Sequence, residues 1–135
     1  QRQMCIRDSN RFVLKDTDRL KEYLFSLYAD TIAERAYILF LNKGFRLIKY
    51  ELICEGSIDE VYLDIKMAVR RALMNHAAYV VLTHNHPSGL VFPSDSDIIS
   101  TRELSEALNT VKIGFWDHVI VGGNQYYSFR ESRNY

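Results

Sequence analysis

Hydrophobic residues along the chain follow two spacings, one helical and one of buried-strand type. Leu20, Leu24, Leu27 and Tyr28 recur at helical intervals, which predicts a helix over 17–29 with one apolar face and Thr17 as its cap. Ala36-Tyr37-Ile38-Leu39-Phe40-Leu41 is nearly continuous apolar sequence, the pattern of a strand covered on both faces. Asn42-Lys43-Gly44 reads as a turn with Gly44 at positive φ, and Phe45 to Cys54 as the returning strand, broken at Gly56-Ser57. A second stripe, Val61, Ile65, Ala68, Val69, Ala72, Leu73 and His76, predicts a helix over roughly 60–76, with Lys66, Arg70 and Arg71 directed elsewhere. Tyr79 to Thr83 is again a buried strand, running into a predicted loop, His84-Asn85-His86-Pro87-Ser88-Gly89. A third helix is expected from near Asp97 to near Thr110. Then His118 to Val121 and Gln125 to Phe129 form a hairpin across Gly122-Gly123-Asn124. Interleaved helices and strands with a tight hairpin predict an α/β fold, a mixed sheet flanked by helices.

Composition narrows the function classes. The 135 residues are 47% hydrophobic and 13% aromatic, enough for one domain with a real core. Lys plus Arg is 17 and Asp plus Glu is 17, which excludes binding driven by bulk positive charge. The apolar runs are too short to span a bilayer, so no membrane role is expected. Residues 1–10 lack periodicity and any apolar stretch, so no secretory leader is read there. They resemble translated sequencing-adapter text as much as a native flexible arm. The domain is placed at 11–135, and the chain reads as the C-terminal part of something longer. Two cysteines, Cys5 and Cys54, cannot make a disulfide scaffold, which suits a reducing cytoplasm.

The candidate chemistry lies at the end of the Tyr79–Thr83 strand. His84 and His86 are one residue apart, so in extended backbone both imidazoles reach one point past the strand edge. Asp97 follows at the start of a helix. Two imidazoles and a carboxylate are a usual set for a catalytic zinc, with the fourth position left to water. Pro87, Gly89 and Pro93 limit the loop between them. The plainer reading is that the histidines are solvated and that Ser94 and Asp97 are an N-cap with an acid three residues on. His76 and His118 are read as packing or hydrogen-bonding rather than ligating. Cys54 is read as a buried strand residue, Trp116 as core, and Lys66, Arg70 and Arg71 as a solvated helix face.

His84, His86, Pro87, Ser94 and Asp97 together match the full JAMM pattern: His, any residue, His, Pro, six residues, Ser, two residues, Asp. The chain thus resembles the JAB/MPN metalloproteases. The string His84-Asn85-His86-Pro87-Ser88-Gly89 with Pro93-Ser94 and Asp97 is similar to their RadC branch. So are Glu34 before the Leu39-Phe40-Leu41-Asn42 strand end, Gly56-Ser57, Ala72-Leu73 with Ala77-Ala78, Asp117-His118-Val119-Ile120-Val121-Gly122 and Tyr126-Tyr127-Ser128-Phe129-Arg130-Glu131. The resemblance covers about residues 17–131. It implies a cytidine-deaminase-like architecture and a zinc ion held by His84, His86 and Asp97. It also implies a catalytic Glu before the first core strand, best matched by Glu34 with Glu51 and Glu55 as alternatives, and Ser94 as an oxyanion-side hydroxyl. The activity implied is zinc-dependent cleavage of a peptide, isopeptide or related amide bond. The alternative is a DNA-repair-associated or mobile-element accessory protein acting through binding, which needs a basic face. One departure stands out: RadC-like chains usually carry Pro-Arg-Glu at the start of the second helix, where this chain has Ile65-Lys66-Met67. The contiguous His-Asn-His letters are a false lead to HNH nucleases, whose three residues are spread through a ββα unit.

Overall fold

The structure, a computed structural model, describes residues 12–56 and 63–132. The expectations for residues 1–10, Cys5, Ser57 and Val61 lie outside these residues. In chain order the elements are α1 (Thr17–Leu27), β1 (Arg35–Leu41), β2 (Leu47–Glu55), α2 (Ile65–Met74), β3 (Tyr79–Asn85), α3 (Asp95–Thr110), β4 (Gly114–Gly122), β5 (Gln125–Ser128) and α4 (Phe129–Ser132). The strands form one sheet in the order β2–β1–β3–β4–β5. β1 runs antiparallel to β2 and β3, β3 is parallel to β4, and β4 is antiparallel to β5. The mixed α/β sheet with flanking helices is as the sequence pattern predicts.

Strand alternation sorts the core into two layers. Tyr37, Leu39, Leu41, Val81, Val119 and Val121 face Leu20, Tyr23, Leu24 and Tyr28 from the α1 region. Ile38, Phe40, Val80 and Leu82 face Ala68 and Ala72 of α2 and Leu104 and Leu108 of α3. With both faces covered, β1 and β3 must read as unbroken apolar runs, which is why they were legible.

The local corrections have physical causes. Asp16, not Thr17, caps α1, because its carboxylate accepts the Arg19 amide at 2.8 Å. Gly44 is not the left-handed residue of the β1–β2 turn. Phe45 is, at φ 63°, held there as its ring stacks on Tyr79 with centroids 4.1 Å apart. The second helix starts at Ile65, where Asp64 caps it by accepting the Met67 amide at 3.0 Å. The Ile65-Lys66-Met67 departure therefore still opens a helix. Ala68 and Ala72 are the buried residues of α2, Leu73 is 49% exposed, and His76 lies beyond the helix end at φ 54° with an exposed side chain. Small alanines bury only a narrow stripe of α2, packed in the same core layer as Leu104 and Leu108 of α3. Trp116 is half-buried, its Nε1 donating to the Lys15 carbonyl at 2.9 Å and its face covered by the Arg130 guanidinium. Cys54 is half-buried.

Asp117 fastens the C-terminal end. Its carboxylate accepts the Ser128 hydroxyl at 2.6 Å and the Arg130 amide at 3.0 Å, which sets α4 against β4. Burial raises its pKa from 3.8 to about 6 despite these hydrogen bonds. The folded state thus holds a proton there that the unfolded chain releases, so this group's contribution to stability falls as pH rises from about 4 to about 6. Relative to Asp117→Asn, the parent should lose up to about 3 kcal/mol over that window. Urea unfolding of both proteins at pH 4 and pH 7 checks the sign. A difference that is flat or grows with pH would refute the argument.

Candidate metal centre

The predicted loop begins later than its letters suggested. His84 and Asn85 belong to β3, because His84 pairs with Ala36 of β1 on one side and with Ile120 of β4 on the other. The chain leaves the sheet at His86, whose amide donates to the Val121 carbonyl at 2.7 Å. A turn follows, closed by the Gly89 amide on the His86 carbonyl at 2.9 Å, with Gly89 at φ 89°. The loop then packs over β4 so tightly that a Cβ on Gly122 would lie 2.9 Å from Val91 Cγ1 and 3.0 Å from the Gly89 backbone.

The loop returns into α3 through a complete capping box. Ser94 Oγ accepts the Asp97 amide at 3.0 Å, and Asp97 Oδ2 accepts the Ser94 amide at 2.9 Å. The capping reading of Ser94 and Asp97 is therefore right, but it does not account for where the carboxylate sits. A first-turn acid on an ordinary helix is solvated, whereas Asp97 is 3% exposed, with Oδ2 3.7 Å from His84 Nε2. Ligand atoms of His84, His86 and Asp97 all lie within 4.8 Å of one another. The donor set suits a divalent ion, since zinc–ligand distances of about 2.0–2.1 Å in a tetrahedral site space ligand atoms by about 3.3 Å.

The two rings make the fit sharper. His86 Nδ1 lies 2.6 Å from the Leu90 carbonyl. A carbonyl only accepts, so His86 carries a hydrogen on Nδ1, and in the neutral ring Nε2 then holds the lone pair. That lone pair faces His84 Nε2 at 3.0 Å. Such a contact needs a hydrogen or a cation between the two nitrogens. Burial, reinforced by His118 and His86, holds the His84 pKa well below its usual value, so His84 is neutral at physiological pH.

Three residues that the motif does not name complete the site. His118, expected to pack or hydrogen-bond, does both. Its Nε2 meets His84 Nδ1 at 2.9 Å, its Nδ1 meets Thr101 Oγ1 at 2.6 Å, and its ring stacks on Phe129. Asn85 points to the other face, where its Oδ1 accepts the Arg35 amide at 2.7 Å and its Nδ2 donates to the Ala33 carbonyl at 3.0 Å. Asn85 thus clamps the segment carrying Glu34 to the strand that carries His84 and leads into His86. The sequence held one signal for this network: Asp117-His118 places polar residues inside an otherwise buried strand run.

Glu34 lies one residue before β1, half-buried, with its carbonyl accepting the Gly56 amide at 2.8 Å. Continued alternation puts it on the face of Ala36, the register partner of both His84 and Cys54. The Cys54 thiol pKa is raised by burial first and then by the charge of Glu34. Glu51 is salt-bridged to Lys49 and Arg71, and Glu55 to Arg35. Beside His86 opens a groove of about 540 Å³ lined by residues including Phe25, Tyr28, Ile32, Asn85 and Val121.

A family model described as RadC-like JAB domain matches residues 14–134. The chain belongs to the RadC-like JAB domain family. It is 41% identical over 118 residues to a UPF0758 protein of Vibrio campbellii, covering 87% of this chain and 53% of that one. It is 42% identical over 115 residues to the UPF0758 protein YeeS of Escherichia coli K12, covering 85% of this chain and 78% of that one. The chain spans about half the length of the Vibrio relatives it matches. Among the described residues, no helix is long and apolar enough to cross a membrane.

Proposed function

We propose that this RadC-like JAB domain is a cytoplasmic zinc hydrolase of JAMM type that cleaves a peptide, isopeptide or related amide bond. The observation that carries the reading is the paired approach of His84 Nε2 to His86 Nε2 at 3.0 Å and to Asp97 Oδ2 at 3.7 Å. In this reading His84, His86 and Asp97 hold the ion. When bound, zinc supplies Lewis acidity, lowering the pKa of a water towards about 7 and polarising a carbonyl. Glu34 accepts the proton of the attacking water and passes it to the leaving amine. Ser94 keeps Asp97 in place through the capping box, and its hydroxyl serves the oxyanion side. The groove beside His86, together with the exposed Ile32, Leu90 and Phe92, supports an extended peptide as substrate. Nucleic acid is the weaker partner, because Lys49 and Arg71 already share Glu51 and the formal net charge is +0.

The test is metal titration with a folding readout. Purified protein should take up close to one equivalent of zinc. The ion would sit at a strand end rather than within either core layer, so chelated protein should keep a cooperative unfolding transition, lowered only by mass action. A folded protein that takes up no zinc sinks the reading. Loss of cooperative unfolding on chelation would make the ion structural and count against catalysis.

A further inference from the structure

Thr101, His118, His84 and His86 form a chain in which every donor must point the same way. The contacts are Thr101 Oγ1 to His118 Nδ1 at 2.6 Å, His118 Nε2 to His84 Nδ1 at 2.9 Å, and His84 Nε2 to His86 Nε2 at 3.0 Å. A neutral imidazole has one N–H and one lone pair, so each ring passes the direction on. The Leu90 carbonyl fixes the far end, leaving His86 Nε2 as an acceptor. Without a cation between the rings, His84 must carry its hydrogen on Nε2. Its Nδ1 then accepts from His118 Nε2–H, and His118 Nδ1 accepts from the Thr101 hydroxyl. A cation held by both Nε2 atoms demands the reverse. His84 must then carry its hydrogen on Nδ1 and donate it to His118 Nε2, and His118 Nδ1–H donates to Thr101 Oγ1. The Thr101 hydroxyl turns to a carbonyl one turn back, Asp97 or Ile98, as helical threonines can.

Building on the metal-centre reading above, we infer that Thr101 and His118 form a hydrogen-bond relay whose direction reverses on metal binding and which sets the tautomer of His84. In one direction the relay latches the ligand pair together. In the other it presents the His84 lone pair to the ion. His118 is a positioning residue, acting through His84. As the relay reverses, His118 passes its Nε2 hydrogen to His84 Nδ1 and takes the Thr101 hydroxyl hydrogen at Nδ1. The hydrogen displaced from His84 Nε2 leaves past the half-buried His86, and one from solvent restores the fully buried Thr101 hydroxyl in a transient opening of the site. Burial keeps His84 and His118 neutral, and the number of hydrogens on the relay is unchanged. Thr101, His84 and His118 are each fully buried, so water cannot substitute for a missing relay member. The coplanar stack of His118 on Phe129, with rings inclined by 4°, holds the ring plane while the hydrogens change places.

The experiment combines imidazole ¹⁵N NMR of histidine-labelled protein, with and without zinc, and chelator competition for zinc on the parent and three variants. His84 should show the Nε2–H tautomer without zinc and the Nδ1–H tautomer with it. His118→Phe keeps the ring stack but removes both nitrogens, and should weaken zinc binding about 10- to 100-fold. His118→Gln should recover much of the loss, because a carboxamide can accept or donate at the same place. Thr101→Val should weaken binding in the same direction and serves if His118→Phe does not fold. The relay is overturned if His84 keeps one tautomer in both states, or if the folded variants bind zinc as the parent does. A parent that takes up no zinc overturns the metal centre and the relay with it.

Discussion

Glu34→Gln should cut turnover of any cleaved substrate by about 10²- to 10⁴-fold while zinc content stays at the parent's level. The variant keeps the size of the side chain and removes only its basicity. Glu34 is not one of the three converging ligand groups, so zinc uptake should not notice the change. Its place on the site face depends on β1 running antiparallel to β3, which brings the start of one strand beside the end of the other. Glu51→Gln is the matched control: Glu51 shares this face through its pairing with Ile38, but it is bound to Lys49 and Arg71. It should leave turnover near the parent's. Loss of zinc in Glu34→Gln, or loss of turnover in Glu51→Gln but not Glu34→Gln, would show that the base is misassigned. Asn85→Ala should fall between the two, because it releases the clamp on residues 33–35 without touching the carboxylate.

How much of this was legible in the sequence depends on how far apart the interacting residues lie. β1 and β3 were readable because burial on both faces leaves no polar position in them until the site itself. The three converging side chains were readable because two lie one residue apart at a strand's end and the third lies in the first turn of the next helix. The α2 boundaries were not, since alanine packs without a broad apolar stripe and so leaves a faint periodic signal. The Thr17 and Gly44 assignments failed for a shared reason. Each took the usual residue for a position that the neighbouring residue, Asp16 or Phe45, fills better in its tertiary setting. The relay and the clamp were invisible because His84 meets His118 across 34 positions and Asn85 meets Arg35 across 50. No local pattern encodes such pairs. Only the sheet order places them together.

The two explanations for Asp97, helix capping and metal ligation, can be separated by a pair of substitutions. Asp97→Asn keeps an oxygen able to accept the Ser94 amide, so the capping box survives in form, but it removes the negative charge beside His84. Its metal-free stability should stay close to the parent's, while stoichiometric zinc uptake should fail at concentrations that saturate the parent. Ser94→Ala does the opposite. It deletes the oxygen that accepts the Asp97 amide and should cost about 1 kcal/mol of stability. Zinc should still bind, more weakly, because the carboxylate keeps its charge but loses part of its restraint. Chelator competition and urea unfolding of the metal-free proteins give both numbers for each variant. His86→Ala completes the set: it removes the half-buried ligand while leaving the His84–His118 pair intact, and should abolish uptake with little effect on folding. If Asp97→Asn bound zinc as the parent does, Asp97 would be a cap and nothing more, and the His84–His86 contact would need another partner for its cation.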